Sequence, residues 1–224
     1  MQITKPDLHP ILAALQRQGD IRPLADLPAS SRTPAIPTGF PALDHVLACG
    51  GIPRGRLTIL TGAPTSGTTS LAYRLVAQAQ HRGQIAVYLD LPYSFDPLSA
   101  QRCGVKIGSL LLVRPSDRLQ ALALLRDLTV EDIPLLAVWD GLLIKSALPD
   151  LRALRAVLPR SRMTVLLRLP PTLAATVAAD VHLHLVRQAW LYERRDVRGC
   201  QSSVTIQKDI GQPSGASVEI EIAL

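Results

Sequence analysis

A glycine-containing segment between an apolar run and a helical pattern carries the strongest chemical signal in the sequence. Gly62 and Gly67 are separated by four residues, and the stretch reads Gly-Ala-Pro-Thr-Ser-Gly-Thr-Thr-Ser. This layout is typical of a phosphate-binding loop, because backbone N–H groups of the loop and of the following helix N-terminus surround phosphate oxygens. Thr69 stands where such a loop carries its Mg²⁺-binding hydroxyl. The residues assigned to the loop site are Gly62, Ser66, Gly67, Thr68, Thr69 and Ser70.

The cation of such a loop is absent from its usual position. Position 68, directly after the second glycine, is threonine where the motif has lysine. A neutral hydroxyl adds no positive charge near the β- and γ-phosphates, and phosphoryl transfer depends on positioned charge. The spacing alone also allows a structural reading, in which the loop is kept because its turn folds well. No cofactor is therefore expected, and Mg·ATP, bound without turnover, is the ligand left open.

The pattern from residue 56 onward predicts an α/β fold. Short apolar runs alternate with helical periods, which indicates a mostly parallel sheet with helices on both faces. Beyond residue 180 apolar and polar residues alternate, which predicts an antiparallel carboxy-terminal extension with turns at Gly199 and at 211–215. The predicted strands are 56–61, 85–90, 110–113, 135–140, 163–168, 181–191, 203–209 and 216–222, and the predicted helices are 70–82, 98–103, 118–128 and 150–157.

The first 37 residues form a separate segment in the sequence pattern. Apolar residues at helical spacing predict a short helix over 8–18, which ends at Gly19. Four prolines between residues 23 and 37 then predict an extended connector. Such a segment has no core of its own, so we expect it to lie on another surface. The predicted organisation is an amino-terminal helix and arm at 1–37 and a core at 38–224.

Composition limits the class of protein. Of the 224 residues, 47% are hydrophobic and 19% are charged, which excludes general disorder. No apolar stretch approaches the roughly 18 residues of a membrane helix, and the amino terminus does not resemble a signal peptide. We expect a cytoplasmic protein that does not contact a membrane. Cys49, Cys103 and Cys200 are widely spaced and fit neither a disulfide framework nor a zinc knuckle, so we expect them to be small buried residues.

Further segments combine with the loop into a family resemblance. Residues 38–44 read Thr-Gly-Phe-Pro-Ala-Leu-Asp, residues 50–56 read Gly-Gly-Ile-Pro-Arg-Gly-Arg, and Leu-Asp, Asp-Pro and Cys-Gly-Val follow at 89–90, 96–97 and 103–105. With the glycine loop they resemble the core of bacterial RecA recombinase over residues 19–222. The resemblance implies a RecA-type P-loop ATPase core with Asp140 at the end of the Walker B strand. It also implies that the amino-terminal segment is the arm that RecA packs on a neighbouring subunit.

The sequence departs from this family where the resemblance places nucleotide chemistry. Pro92 stands where active relatives carry the glutamate that activates water, and proline cannot act as a base. Ser99 replaces the aromatic residue that stacks on adenine, although Asp96, which could bond the base, is kept. Lys208 matches one of two lysines that reach the phosphates of the next subunit, and Ile210 replaces the other.

Three other family segments are altered or short. The glutamine that senses the γ-phosphate is replaced within Leu-Pro-Pro at 169–171. Residues 141–149 are too few for the first DNA-binding loop and the helix after it, and residues 170–176 leave the second DNA loop nearly absent. The resemblance therefore implies neither ordinary ATP hydrolysis nor DNA binding in the manner of the family.

The carboxy-terminal half has a separate basic concentration. Residues 151–200 contain nine arginines and three acidic residues, an excess equal to the net charge of +6 of the chain. If these side chains share a face with Trp190 and Tyr192, they could bind single-stranded DNA through phosphate contacts and base stacking. The alternative is a solvated rim around the domain edge. The residues predicted for DNA contact are Arg152, Arg155, Arg187, Arg194, Arg195 and Arg198.

Two smaller features have structural readings. His182 and His184 lie on one face of a predicted strand and could form half a metal site, but no third ligand is evident and no metal is expected. Tyr93 and Phe95, in the loop after Asp90, are predicted to be packing residues.

The residues and the resemblance together favour a catalytically degenerate RecA-like accessory or adaptor protein. The implied role lies in DNA repair, recombination or damage-induced translesion synthesis, similar in kind to RecA-like proteins of the ImuA type. The implied partners are a RecA-like protein or a second copy of the chain through the amino-terminal arm, a translesion polymerase, and single-stranded DNA. Two alternatives stay open: a DNA-dependent ATPase with an atypical P-loop, and a nucleotide-independent binder of single-stranded DNA.

Overall fold

The computed structural model describes residues 34–130, 133–140, 148–210 and 214–223. They belong to a compact unit that begins at Pro34. Ala35 and Ile36, which the sequence analysis assigned to the arm, form a strand of this unit, and Ile36 is fully buried. The predicted helix at 8–18 and the connector up to residue 33 lie outside the described residues.

The described strands and helices follow the predicted alternation. The strands are β1 (Ala35–Ile36), β2 (Ile52–Pro53), β3 (Leu57–Gly62), β4 (Ile85–Asp90), β5 (Leu110–Val113), β6 (Leu135–Asp140), β7 (Met163–Leu169), β8 (Val181–Glu193), β9 (Asp196–Lys208) and β10 (Ser217–Ala223). The helices are α1 (Pro41–Val46), α2 (Thr68–His81), α3 (Pro97–Arg102), α4 (Arg118–Val130), α5 (Leu148–Val157) and α6 (Pro171–Ala174). Short 3₁₀ turns lie at Ile107–Ser109 and Leu158–Arg160.

Eight of these strands form one mixed sheet, in the order β10-β9-β8-β3-β7-β6-β4-β5. The pairs from β8 to β5 are parallel, whereas β8–β9 and β9–β10 are antiparallel. The prediction of a parallel sheet with an antiparallel carboxy-terminal extension is therefore confirmed. β1 and β2 pair with each other in a separate two-stranded ribbon.

Apolar layers cover both faces of the parallel part of the sheet. All six residues of β6 are buried, as expected for a strand with helices on either side. On one face α2 packs through residues such as Leu71, Leu75 and Val76. On the other face α4 and α5 pack over β3, β6 and β7. Each fully buried leucine of this kind contributes roughly 1.5–3 kcal/mol to folding.

The β8–β9 hairpin is longer than the alternation predicted. The alternation pattern predicted a turn at Gly199, but Gly199 lies within β9 and pairs with Leu191 and Ala223. The chain turns instead between Glu193 and Asp196, where Arg194 has a φ of 58°. The prediction was wrong because the outer half of the hairpin is polar and exposed, so it has no apolar alternation to mark it.

Two further features are the apolarity of the described helices and the burial of the three cysteines. In the portion of the chain that is described, no helix has the length and apolarity to cross a membrane. Cys103 and Cys200 are buried, as predicted, whereas Cys49 is half-buried, and none of the three forms a disulfide. Burial raises the pKa of the Cys103 thiol.

Asp180 secures the beginning of β3, the strand that leads into the glycine loop. Its backbone N–H donates to the Leu57 carbonyl, and its Oδ2 accepts from the Leu57 N–H at 3.1 Å. Its Oδ1 accepts from Nε and Nη2 of Arg155, at 2.9 and 2.6 Å. This buried carboxylate therefore joins β3, α5 and the start of β8, and its neutralisation depends on one arginine.

Replacing Asp180 is expected to destabilise the whole unit. Asp180→Ala leaves the Leu57 N–H and the Arg155 guanidinium without their acceptor, which should lower the free energy of unfolding by about 3 kcal/mol. The matched control is Asp150→Ala, which breaks the more exposed pair with Arg126 and should cost under about 1 kcal/mol. Urea denaturation of the two variants measures the difference, and equal costs would contradict the role given to Asp180.

Candidate functional site

A cavity of about 530 Å³ opens where the central parallel strands end. This is the edge at which open α/β sheets bind ligands, because the loops that follow the strands converge there. Two of the predicted loop threonines, Thr68 and Thr69, line the cavity together with Asp140. The described lining residues are Leu60, Gly62, Ala63, Pro64, Thr65, Thr68, Thr69, Pro92, Ser94, Asp140, Arg168, Leu169 and Pro170.

Packing explains the first loop glycine, and backbone conformation together with packing explains the second. A Cβ at Gly62 would lie 2.6 Å from the Leu185 carbonyl oxygen of β8 and 2.2 Å from the Ser66 Oγ. Gly67 precedes α2 with a φ of 90°, and a Cβ there would lie 2.1 Å from Cδ1 of Ile222 in β10. The loop is thus pressed against the carboxy-terminal strands, and the structural reading of the two glycines is sufficient to explain them.

A hydrogen bond adds to this attachment of the loop. Ser202 of β9 is buried and donates from its hydroxyl to the Ser66 carbonyl at 3.0 Å. Ser66 is itself buried, and it does not line the cavity. The strands β8, β9 and β10 therefore hold the conformation of the loop from behind.

Asp140 ends β6 and lies buried at the floor of the cavity. Its Oδ2 accepts from the Tyr88 hydroxyl at 2.9 Å and from Arg168 Nη1 at 2.8 Å. Burial raises the pKa of Asp140, and the nearby Arg168 and the Tyr88 hydroxyl act in the opposite direction. Arg168 is the partner of Asp140 in the β6–β7 register, so the two strand ends place the charges side by side.

A second carboxylate lies next to Asp140 and has a structural role. Asp90 is the partner of Asp140 in the β4–β6 register and is fully buried. Its oxygens accept from the backbone N–H groups of Ser94 and Phe95, at 2.9 and 3.3 Å, and from Arg114 Nε at 3.3 Å. Asp90 therefore closes the loop after β4.

The two aromatic residues of this loop differ in environment. Phe95 is buried and packs edge-on against Tyr73 and Tyr88, which confirms the prediction for this residue. Tyr93 is 63% exposed with a φ of 57°, and the Arg114 guanidinium lies 5.1 Å from its ring centroid. The packing prediction was wrong for Tyr93, because the turn at this residue directs the ring outward.

Arg168 is the cavity cation that the sequence analysis missed. Of the lining residues that the structure describes, it is the one with a positive charge. Its side chain retains 22% exposure. The signal was present in the sequence, since both 135–140 and 163–168 are apolar runs that end in one charged residue, and adjacent parallel strands bring such ends together.

A second arginine reaches the loop from outside the cavity lining. Arg187 of β8 donates from Nη1 to the Thr65 hydroxyl, and its guanidinium carbon lies 4.1 Å from the ring centroid of Trp190. Thr65 has a φ of 65° at the apex of the loop. Arg187 and Trp190 thus form a stacked pair against the outer side of the loop.

Three further residues assigned to the nucleotide site lie outside the cavity lining. Asp96 accepts from the Leu98 N–H and the Ser99 hydroxyl, so it caps the beginning of α3. The Ser99 hydrogen bond lowers the pKa of Asp96. Lys208 Nζ donates to the Ala179 carbonyl at 2.5 Å. Ser70 lies in the first turn of α2 and does not line the cavity.

The arginines predicted for DNA contact have different surroundings. Arg152 and Arg155 are on α5, and Arg155 is bonded to Asp180. Arg194 and Arg195 are exposed at the tip of the β8–β9 hairpin. Arg198 pairs with Glu193 at 2.7 Å on the same hairpin. Only the hairpin therefore concentrates several of these cations.

The two histidines of β8 share one partner. His182 Nε2 and His184 Nδ1 each lie 2.9 Å from the Thr61 hydroxyl. Burial lowers the pKa of His182, and the neighbouring His184 adds to this effect. Among the described residues no group of three or more histidine, cysteine or acidic side chains could hold a metal ion.

Comparisons with known proteins all identify the same family. Residues 14–141 match the family model of the RecA N-terminal domain. The chain is 40% identical to the RecA protein of Chloroflexus aggregans over 129 residues, which is 54% of this chain and 36% of that protein. It is 41% identical to the RecA protein of Thermus thermophilus over 118 residues, or 51% and 34% of the two chains, and 41% identical to that of Chlorobaculum parvum over 124 residues, or 54% and 36%.

The aligned part holds most of the cavity lining, whereas Arg168, Leu169 and Pro170 lie beyond it. It includes β3, the glycine loop, β4 and the strand that ends at Asp140, and it spans about a third of the length of the curated relatives. The fold described above, a mostly parallel sheet with antiparallel carboxy-terminal strands, agrees with this match. Because the family model matches more than half of the residues of this chain, the chain belongs to the RecA family.

Proposed function

We propose that this chain is a RecA-family accessory protein that brings partners together in DNA repair, recombination or damage-induced translesion synthesis without hydrolysing ATP. The observation that carries the proposal is the composition of the cavity. Of its described lining residues, Asp140 is the one carboxylate, and Arg168 already bonds it. A group in that ion pair is poorly placed to act as a base toward water.

Two further lining residues support the loss of turnover. Thr68 occupies the position of the motif lysine at the start of α2, and Pro92 lies on the cavity wall after β4. Neither side chain carries charge or accepts a proton. Hydrolysis would thus lack both a positioned cation on the loop and a base on the facing wall.

The edge of the sheet supports a binding role. β5 is the last strand on its side of the sheet, and Leu111 and Leu112 on it are 55% and 39% exposed. An edge strand with unpaired backbone groups and exposed apolar side chains can accept a strand from another molecule. We propose that the amino-terminal arm of a second copy, or of a RecA-like partner, adds to this edge.

The β8–β9 hairpin favours a second candidate function, direct binding of single-stranded DNA. Arg194 and Arg195 are exposed at its tip, and Tyr192 beside them is 62% exposed. Cations combined with an exposed ring match the sequence-independent way in which proteins bind single strands. This function needs no nucleotide.

The first test is turnover. The full chain, incubated with Mg·ATP, should release phosphate no faster than a protein-free blank, with or without single-stranded DNA. The reason is that a single missing cation in phosphoryl transfer lowers the rate by about 10³–10⁵-fold. Release that DNA stimulates and that Thr69→Ala weakens would instead establish the ATPase alternative.

The second test is association. Deleting residues 1–33, or introducing Leu111→Asp with Leu112→Asp, should weaken self-association and co-sedimentation with a RecA protein by at least about tenfold, since each change removes one side of a strand-addition interface. Val130→Asp, at an 83% exposed position on α4, is the control and should leave association unchanged. Unaltered sedimentation of both interface variants would remove the adaptor proposal.

The third test addresses DNA. If the hairpin binds single strands, affinity should fall steeply with salt, and Arg194→Ala with Arg195→Ala should reduce the slope of log K against log salt by about 1.4, or roughly 0.7 per lost phosphate contact. The control pair is Arg102→Ala with Arg160→Ala, at exposed positions elsewhere. An identical slope in both double variants would exclude the hairpin as the DNA site.

A further inference from the structure

The ion pair at the floor of the cavity bears on a second property of the site, its dependence on divalent metal. The residues that a Mg²⁺ ion would use here are the Thr69 hydroxyl and the Asp140 carboxylate. The Asp140 Oδ2 already accepts two hydrogen bonds, from Arg168 at 2.8 Å and from Tyr88 at 2.9 Å. A divalent ion at this oxygen would have to displace the guanidinium, and one at Oδ1 of the same carboxylate would still lie close to it, where like charges repel. The residues present therefore do not fit a Mg²⁺ ion at Asp140.

The same arginine can serve an anion directly. Among the described residues, Arg168 is hydrogen-bonded to Asp140 through Nη1 alone, which leaves the Nε and Nη2 donors for another acceptor. Guanidinium groups bind phosphate oxygens through paired donors and keep their charge at all physiological pH values. Arg168 lies opposite Leu60 in the β3–β7 register, and both side chains line the cavity together with Thr68 and Thr69.

We infer that Arg168 is the phosphate-binding cation of this cavity, in place of both the loop lysine and a metal ion, so that a polyphosphate anion binds without Mg²⁺. The ligand class is a nucleoside triphosphate or another linear polyphosphate. The inference concerns binding alone and is independent of the proposed adaptor role, since an adaptor with an empty cavity and one with a bound anion would behave alike in the association test.

The direction in which Asp140→Asn changes the affinity for an anion separates this arrangement from a metal-dependent site. In a Mg²⁺-dependent site Asp140→Asn removes a metal ligand and weakens binding. In the arrangement inferred here Asp140→Asn frees the Arg168 guanidinium, while the asparagine oxygen can still accept from Tyr88. Binding of an anion should therefore become stronger.

The experiment is a calorimetric titration of the full chain with ATP, and in parallel with inorganic tripolyphosphate, each in excess Mg²⁺ and in EDTA. We expect the wild-type affinity in EDTA to equal or exceed that in Mg²⁺, Arg168→Gln to lose roughly tenfold to a hundredfold, and Asp140→Asn to gain several-fold. Tripolyphosphate binding as tight as that of ATP identifies a phosphate site, and tighter ATP binding adds a contribution from the nucleoside.

A matched arginine variant serves as the control. Arg126→Gln removes an arginine that pairs with Asp150 at the surface and does not line the cavity, so its anion affinity should match that of the wild type. If Arg168→Gln does not fold because Asp140 is left unpaired, the double variant Arg168→Gln with Asp140→Asn removes both charges together and should still lose anion binding. Absence of binding to the wild type, a requirement for Mg²⁺, or unchanged affinity in the Arg168 variants would each overturn the inference.

Discussion

A carboxylate buried at the end of a parallel strand needs a cation, and at the end of β6 that cation is Arg168. The pair lies at the cavity that the loops after β3, β4 and β7 line, and its charges are balanced inside the protein. Without the Arg168 guanidinium, burial of the Asp140 carboxylate would cost free energy and would favour the protonated form of this group. The ion pair therefore lets the edge of the sheet keep its shape without a bound ligand.

The glycine loop can be understood in the same terms. Gly62 lies closer to the Leu185 carbonyl of β8 than a Cβ would allow, Gly67 has a φ of 90° and lies against Ile222 of β10, and the Ser202 hydroxyl donates to the loop carbonyl of Ser66. These contacts are made by the protein alone. A glycine loop with this spacing is therefore compatible with either phosphate binding or a purely structural role. The residue that distinguishes the two roles chemically is Thr68, which carries no charge.

The sequence was sufficient for the order of the elements and for the family, because buried runs, helical periods and the glycine spacing are local signals. It placed Thr68, Thr69 and Asp140 at one site, and these three do line one cavity. It missed the role of Arg168, which depends on the β6–β7 register, and it misplaced the hairpin turn, because the segment around Gly199 pairs in a sheet without apolar alternation. Tyr93 was misjudged for a related reason, since the positive φ of one residue decides whether the ring points in or out.

The excess of basic residues in 151–200 is explained in part by the carboxylates that pair with these arginines. Three buried aspartates each form an ion pair with an arginine. The pairs are Asp90–Arg114, Asp140–Arg168 and Asp180–Arg155. Two of these arginines were counted in the excess, although their charges are engaged by carboxylates of the core. The guanidinium group suits such positions because its planar donors match a carboxylate and it is more weakly hydrated than an ammonium group. Part of the preference for arginine over lysine in this chain is therefore structural, and of the arginines predicted for DNA contact, Arg194 and Arg195 lie exposed together at the hairpin tip.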